Sequence, residues 1–199
     1  LHIDPMDNHY VPNLTMGPDI VKWIKKRSAI PCDVHLMTEK PETLIAPFKE
    51  AGTEYISVHY EACIHLHRTI EVIKNMNIKA GVAINPSTPI SVLGEILPYL
   101  DFVLIMSVNP GFPKQSFITS SIQKIQALRL MLKKRDLSCA IEVDGGIKSD
   151  NIKDVVAAGA QWIVSGSGIF SEPDPAEKVR GMKKILLETE AHALKEEEL

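Results

Sequence analysis

The sequence predicts a parallel α/β barrel, and three observations carry that expectation. Short apolar runs alternate with amphipathic segments along the chain, the pattern of strands buried on both faces and covered by helices. Acidic and imidazole side chains sit at or just after several of those runs, and Gly-Gly and Gly-Ser pairs follow the last two. In parallel barrels the loops at the trailing strand ends carry the chemistry, and those after the final strands hold phosphate.

The expected strands are residues 1–4, 32–37, 55–59, 80–84, 102–106, 140–143 and 162–165, each an apolar run bounded by turn residues. Between them the segments 19–26, 42–51, 65–75, 90–97, 120–134, 151–158 and 176–190 place charge on one face and Leu, Ile or Val on the other, as surface helices do. Start signals agree with this division. Lys40-Pro41 puts proline in a first turn, and Ser149-Asp150 offers caps ahead of Asn151. The repeat of strand then helix favours a parallel sheet, and the residues after the strands favour its closure. Closure with eight strands requires one more strand and helix, about thirty residues, upstream of Leu1; we expect that first unit to be missing from this chain.

Composition narrows the function classes. At 199 residues, 45% hydrophobic and a formal charge of -3, we expect one soluble domain over residues 1–199. There is no long apolar run to cross a bilayer and no leader with a cleavage site, so a cytoplasmic location and no membrane partner are expected. Cys32, Cys63 and Cys139 are odd in number and far apart, which suggests neither a disulfide framework nor a thiolate zinc site. The basic stretch from Lys22 to Arg27 is interrupted by Trp23 and Ile24 at helical spacing; it reads as a solvated helix face, and no nucleic-acid partner is expected.

The chemistry concentrates at strand ends. Side chains alternate along a strand, so His2 and Asp4 share a side with Met6, His35 with Met37, Leu104 with Met106, and Glu142 with Asp144. Pro5 disfavours a helical Asp4 and supports the extension. A lone strand histidine is more often a structural hydrogen-bonder than a ligand. Two histidines and two aspartates at the trailing ends of strands instead point to one divalent metal ion, with zinc, iron, manganese and cobalt all suited to that donor set. Glu142 is a buried-looking charge that needs a partner, and Lys79 is the expected one. Asp144-Gly145-Gly146 and Gly166-Ser167-Gly168 offer unobstructed backbone N–H groups to an anion, and Gly168-Ile169-Phe170 begins a short helix. Phosphate is the natural guest. Met6, Met37 and Met106, ordinarily core residues, fall near the proposed ligands and would enclose a charged intermediate.

Taken together, LHIDPMDNHYVPNLTMGP, DVHLM, AGTEYISVHYEA, KAGVAINPSTP, LIMSVNPGF, QSF, IEVDGGI and VSGSGIF resemble the ribulose-phosphate 3-epimerase family, of the bacterial type, nearly end to end. The resemblance implies a (β/α)8 TIM barrel that interconverts D-ribulose 5-phosphate and D-xylulose 5-phosphate in the pentose phosphate pathway with a divalent metal. It places His2, Asp4, His35 and Asp144 at the metal, with Asp4 and Asp144 as the acid/base pair. His35 also matches a substrate contact, Gly145, Gly146, Gly166 and Ser167 match phosphate or substrate contacts, and Met6, Met37 and Met106 match the methionines that cap the intermediate. Gly111, Phe112, Pro113 and Lys114 fall on the loop that closes over substrate. Three departures stand out: the family's substrate-contacting serine near its N-terminus has no counterpart, Pro113 and Lys114 replace two glycines, and Pro5 replaces an apolar residue. The same bases would serve an epimerase for another ketose phosphate such as D-allulose 6-phosphate, and a non-catalytic phosphate-binding homologue is the alternative from another class. Apolar outer helix faces suggest a homo-oligomer.

Overall fold

The computed structural model of the chain describes residues 1–197. Its strands are β1 (His2–Ile3), β2 (Asp33–Leu36), β3 (Tyr55–His59), β4 (Lys79–Ile84), β5 (Phe102–Met106), β6 (Ala140–Asp144) and β7 (Trp162–Val164), paired in chain order. Every pairing is parallel. The helices are α1 (Pro18–Lys25), α2 (Ile45–Ala51), α3 (Leu66–Asn75), α4 (Ser121–Lys134), α5 (Ile152–Ala157), α6 (Ser167–Phe170) and α7 (Pro175–Glu197). The sheet is curled. His2 on β1 and Glu142 on β6 lie 3.5 Å apart, whereas five strand spacings of about 4.8 Å would put them about 24 Å apart on a flat sheet. The architecture is a nearly closed parallel barrel.

Alternation along each strand sorts the chain into two cores. Ile3, Val34, Leu36, Ile56, Val58, Val82, Val103, Ile105, Ile141 and Val143 face outward and are buried in the main core with the helices' apolar residues, including Val21, Phe48, Ile70, Ile125, Leu128 and Val155. The alternate positions fill the barrel. Tyr55, Phe102 and Trp162 pack ring against ring at centroid distances of 5.2–6.2 Å, forming an aromatic floor below the trailing strand ends. Gly81 leaves room for it, since a Cβ there would lie 2.4 Å from the Phe102 ring. Above the floor the interior turns polar, with buried Ser57, His35, His59 and Glu142.

Three expectations are corrected. Residues 90–97 form no α-helix but two 3-10 turns, Ile90–Leu93 and Leu97–Tyr99. Pro98 lacks the N–H that would bond the Gly94 carbonyl, and the Arg135 guanidinium takes that carbonyl instead. The helix expected over 42–51 splits into a 3-10 turn, Pro41–Thr43, and α2, because Pro47 has no N–H for the Thr43 carbonyl. Lys79 does not meet Glu142: it pairs with Asp101 at 2.9 Å, while Glu142 faces His2 across the barrel.

Candidate active site

The trailing strand ends bring the four sequence-selected ligands together. One ligand atom from each of His2, Asp4, His35 and Asp144 lies within 4.8 Å of all the others. Asp4 is central: its Oδ1 is 3.3 Å from His2 Nε2 and 3.1 Å from His35 Nδ1. Its backbone is pinned by Thr15, whose hydroxyl donates to the Asp4 carbonyl at 2.5 Å and accepts the Met6 N–H at 3.0 Å. Pro5 keeps the extension intact, because its carbonyl accepts the Met37 N–H at 3.0 Å.

The donor set fits a cation. His2 Nδ1 lies 2.6 Å from Asp33 Oδ2; an ionised carboxylate only accepts, so that nitrogen donates and Nε2 presents a lone pair to the site. Among the described residues, buried His2 Nε2 has no hydrogen-bond partner. Two imidazole nitrogens and two carboxylates converging here form a donor set that would suit one divalent ion. Burial disfavours a charged His2, but Asp33, Asp4 and Glu142 outweigh it and raise its pKa well above the ordinary value.

The two aspartates differ in environment. Burial opposes ionisation of Asp4, but its interactions with His2 and His35 prevail and hold it well below the usual carboxylate range. Burial, reinforced by the negative charges of Asp4 and Asp33, raises Asp144 despite the two histidines. Neighbouring carboxyls pushed in opposite directions are the usual arrangement for one acid and one base. Glu142 is also raised, by burial and by Asp33, so the interior holds a second acidic group behind His2.

The remaining sequence-selected residues surround this centre. Met106 pairs in register with Asp144 and packs inside the barrel with Ala83, Leu104 and Val108; Met6 bridges to Met37. Gly145 and Gly146 have φ of 120° and 66°, and a Cβ on Gly146 would meet the Phe117 backbone nitrogen at 2.5 Å. Glycine therefore lets the loop after β6 press against the loop after β5. That latter loop is held by Asn13, which donates to the Gly111 carbonyl at 2.9 Å, and by Gln115, which donates to Asn109 and Phe112 carbonyls. Phe112, Pro113 and Lys114 are exposed on it.

Lys114 and Ser167 line one cleft of about 380 Å³, together with Gln115, Lys148, Gly168, Ser171, Glu172 and Lys178. Gly145, Gly146 and Gly166 are not among its lining residues. The cleft gathers three lysines beside Ser167, whose helix α6 begins after Gly166 as the glycine pattern suggests. Sequence reasoning missed Lys148 and Lys178, which carry no motif, and gave no role to Gln115, which opens the QSF motif. It also missed Asp33 and His59, although His59 closes β3 on the barrel-facing side just as His35 lies near the end of β2.

The model of the Ribulose-phosphate 3 epimerase family matches residues 1–170. The chain is 49% identical over 187 residues to the ribulose-phosphate 3-epimerase of Aquifex aeolicus (strain VF5), covering 94% of this chain and 84% of that protein. It is 46% identical over 189 residues to the enzyme of that name from Bacillus subtilis (strain 168), covering 92% and 86%. Among solved structures, 3-hexulose-6-phosphate synthase from Salmonella typhimurium superposes with a TM-score of 0.64 at 21% identity, covering 86% of this chain and 81% of that one; this likeness speaks to the barrel fold. The chain belongs to the ribulose-phosphate 3-epimerase family.

Proposed function

We propose that this chain epimerises D-ribulose 5-phosphate and D-xylulose 5-phosphate at C3, with Asp4 and Asp144 as the acid/base pair and His2, Asp4, His35 and Asp144 holding one divalent metal. The observation that carries the reading is the convergence of two carboxylates and two imidazoles, from β1 and the residue following it, β2 and β6, within 4.8 Å. Inverting a carbon beside a carbonyl requires removal of a proton on one face and delivery on the other, so two carboxyls are needed. One aspartate takes the C3 proton, the electron pair moves into the C2–C3 bond with charge on the C2 oxygen, and the other aspartate protonates C3 from the opposite side. The metal, when bound, supplies electrostatic stabilisation of that oxygen charge. Met106, in register with Asp144, and Met6 and Met37 limit water at the reacting carbon.

The substrate phosphate belongs in the cleft of Lys114, Lys148, Lys178 and Ser167, on the same catalytic side of the barrel. Gly145, Gly146 and Gly166 shape the adjoining loops, and Gly111, Phe112 and Pro113 form the loop that covers the sugar. The reading includes a cytoplasmic setting, with which three free cysteines agree. It also includes a homo-oligomer, supported by exposed Leu14, Met16, Ile20 and Trp23 on and before α1. Among the described residues no helix is long and apolar enough to cross a membrane.

The test is conversion of ribulose 5-phosphate in deuterated water, with and without added divalent metal, following xylulose 5-phosphate and deuterium at C3. Metal-dependent conversion with exchange is expected, falling about 10²–10⁴-fold in Asp4→Asn and in Asp144→Asn. Undiminished conversion in both variants would overturn the two-base assignment.

A further inference from the structure

We infer that His59 and Glu61, which lie outside the four-residue donor set, are positioning residues that fix which ring nitrogen of His35 faces the metal. The inference rests on the metal-site reading above. His35 and His59 are both fully buried, and their Nε2 atoms are 2.8 Å apart. Two ring nitrogens at that distance need one proton between them, one donating and one accepting.

The far end of the chain decides the order. His59 Nδ1 lies 3.2 Å from Glu61 Oε2. The other Glu61 oxygen accepts the Asn85 backbone N–H at 2.9 Å and the Thr88 hydroxyl, so two donors favour the ionised carboxylate. An ionised carboxylate only accepts, which puts the His59 proton on Nδ1. The neutral ring then offers a lone pair at Nε2, His35 donates from its own Nε2, and His35 Nδ1 is left with a lone pair 3.1 Å from Asp4 Oδ1. With the reverse order, His35 Nδ1 would carry the proton and block the site. The Tyr10 ring packs on His59 at 4.7 Å between centroids, which limits rotation of the relay ring. Asp33 does for His2 in one step, at 2.6 Å, what His59 and Glu61 do for His35 in two.

Zinc affinity of the metal-free chain, measured by competition with a chromophoric chelator, separates this inference from the reading beneath it. His59→Phe removes the acceptor and is expected to weaken zinc binding about 10- to 100-fold, while His59→Gln, which retains a carbonyl oxygen, restores most of the affinity. A wild-type chain that binds no zinc would sink the metal-site reading. Tight zinc binding by wild type and His59→Phe alike would overturn this inference alone. If His59→Phe does not fold, long-range ¹H–¹⁵N spectra of the zinc-loaded wild type decide: protons on His35 Nε2 and His59 Nδ1 support the relay, and a proton on His59 Nε2 overturns it.

Discussion

Lys114 adopts φ 64°, a left-handed conformation that costs a side-chain-bearing residue about 1 kcal/mol and glycine almost nothing. What this strain secures is a charge: the side chain lines the cleft with Lys148 and Lys178. In Lys114→Gly, the melting temperature is expected to hold or rise, because relieved strain offsets the added freedom of the unfolded chain. KM for the sugar phosphate is expected to rise about three- to tenfold with kcat little changed, the loss of one partly exposed ionic contact. Steady-state kinetics check this, and an unchanged KM would detach Lys114 from the phosphate. Single residues also marked the limit of sequence reading. The convergence of His2, Asp4, His35 and Asp144 was legible from strand-end position. His59 carries the same signal, but its depth and its contact with His35 depend on two neighbouring strands being in register, which spacing along one strand does not reveal.

Among the elements, β4, β5 and β6 are joined at their leading ends by Asp101. Its carboxylate accepts the Ala80 N–H and the Lys79 ammonium, each at 2.9 Å, and its backbone bonds Ala80 and Ala140. Burial works against ionisation, but the Ala80 N–H and Lys79 prevail and lower the pKa of Asp101. A carboxyl lowered in the folded state stabilises it at neutral pH, and that contribution disappears as acid protonates the group. Asp101→Ala is therefore expected to lose about 1 kcal/mol at pH 7, with the gap from wild type narrowing below about pH 4. Denaturant titrations at both pH values check it; a gap independent of pH would contradict the ionic origin. Strands were readable because runs such as 55–59 and 102–106 are bounded by turn residues, and the structure places β3 and β5 at those limits. Residues 90–97 misled because their apolar spacing is helical while Pro98 has no N–H for the Gly94 carbonyl.

At the scale of the whole molecule, curvature makes the site. Residues on β1 and β6 meet only because the sheet bends until His2 and Glu142 are 3.5 Å apart. That is why the sequence offered Lys79 as the partner of Glu142: distance along the chain carries no record of contacts across a barrel. The aromatic floor of Tyr55, Phe102 and Trp162 lies below, leaving the polar layer to open at the trailing ends, where the donor set and the lysine-lined cleft are found together. In the proposed mechanism one cation links the two aspartates. Anomalous diffraction from crystals grown with zinc tests it most directly. One peak is expected about 2.0–2.2 Å from His2 Nε2, His35 Nδ1 and a carboxylate oxygen of both Asp4 and Asp144. A peak instead among His2, Asp33 and Glu142, the second group of closely spaced donors, or none between Asp4 and Asp144, would contradict it.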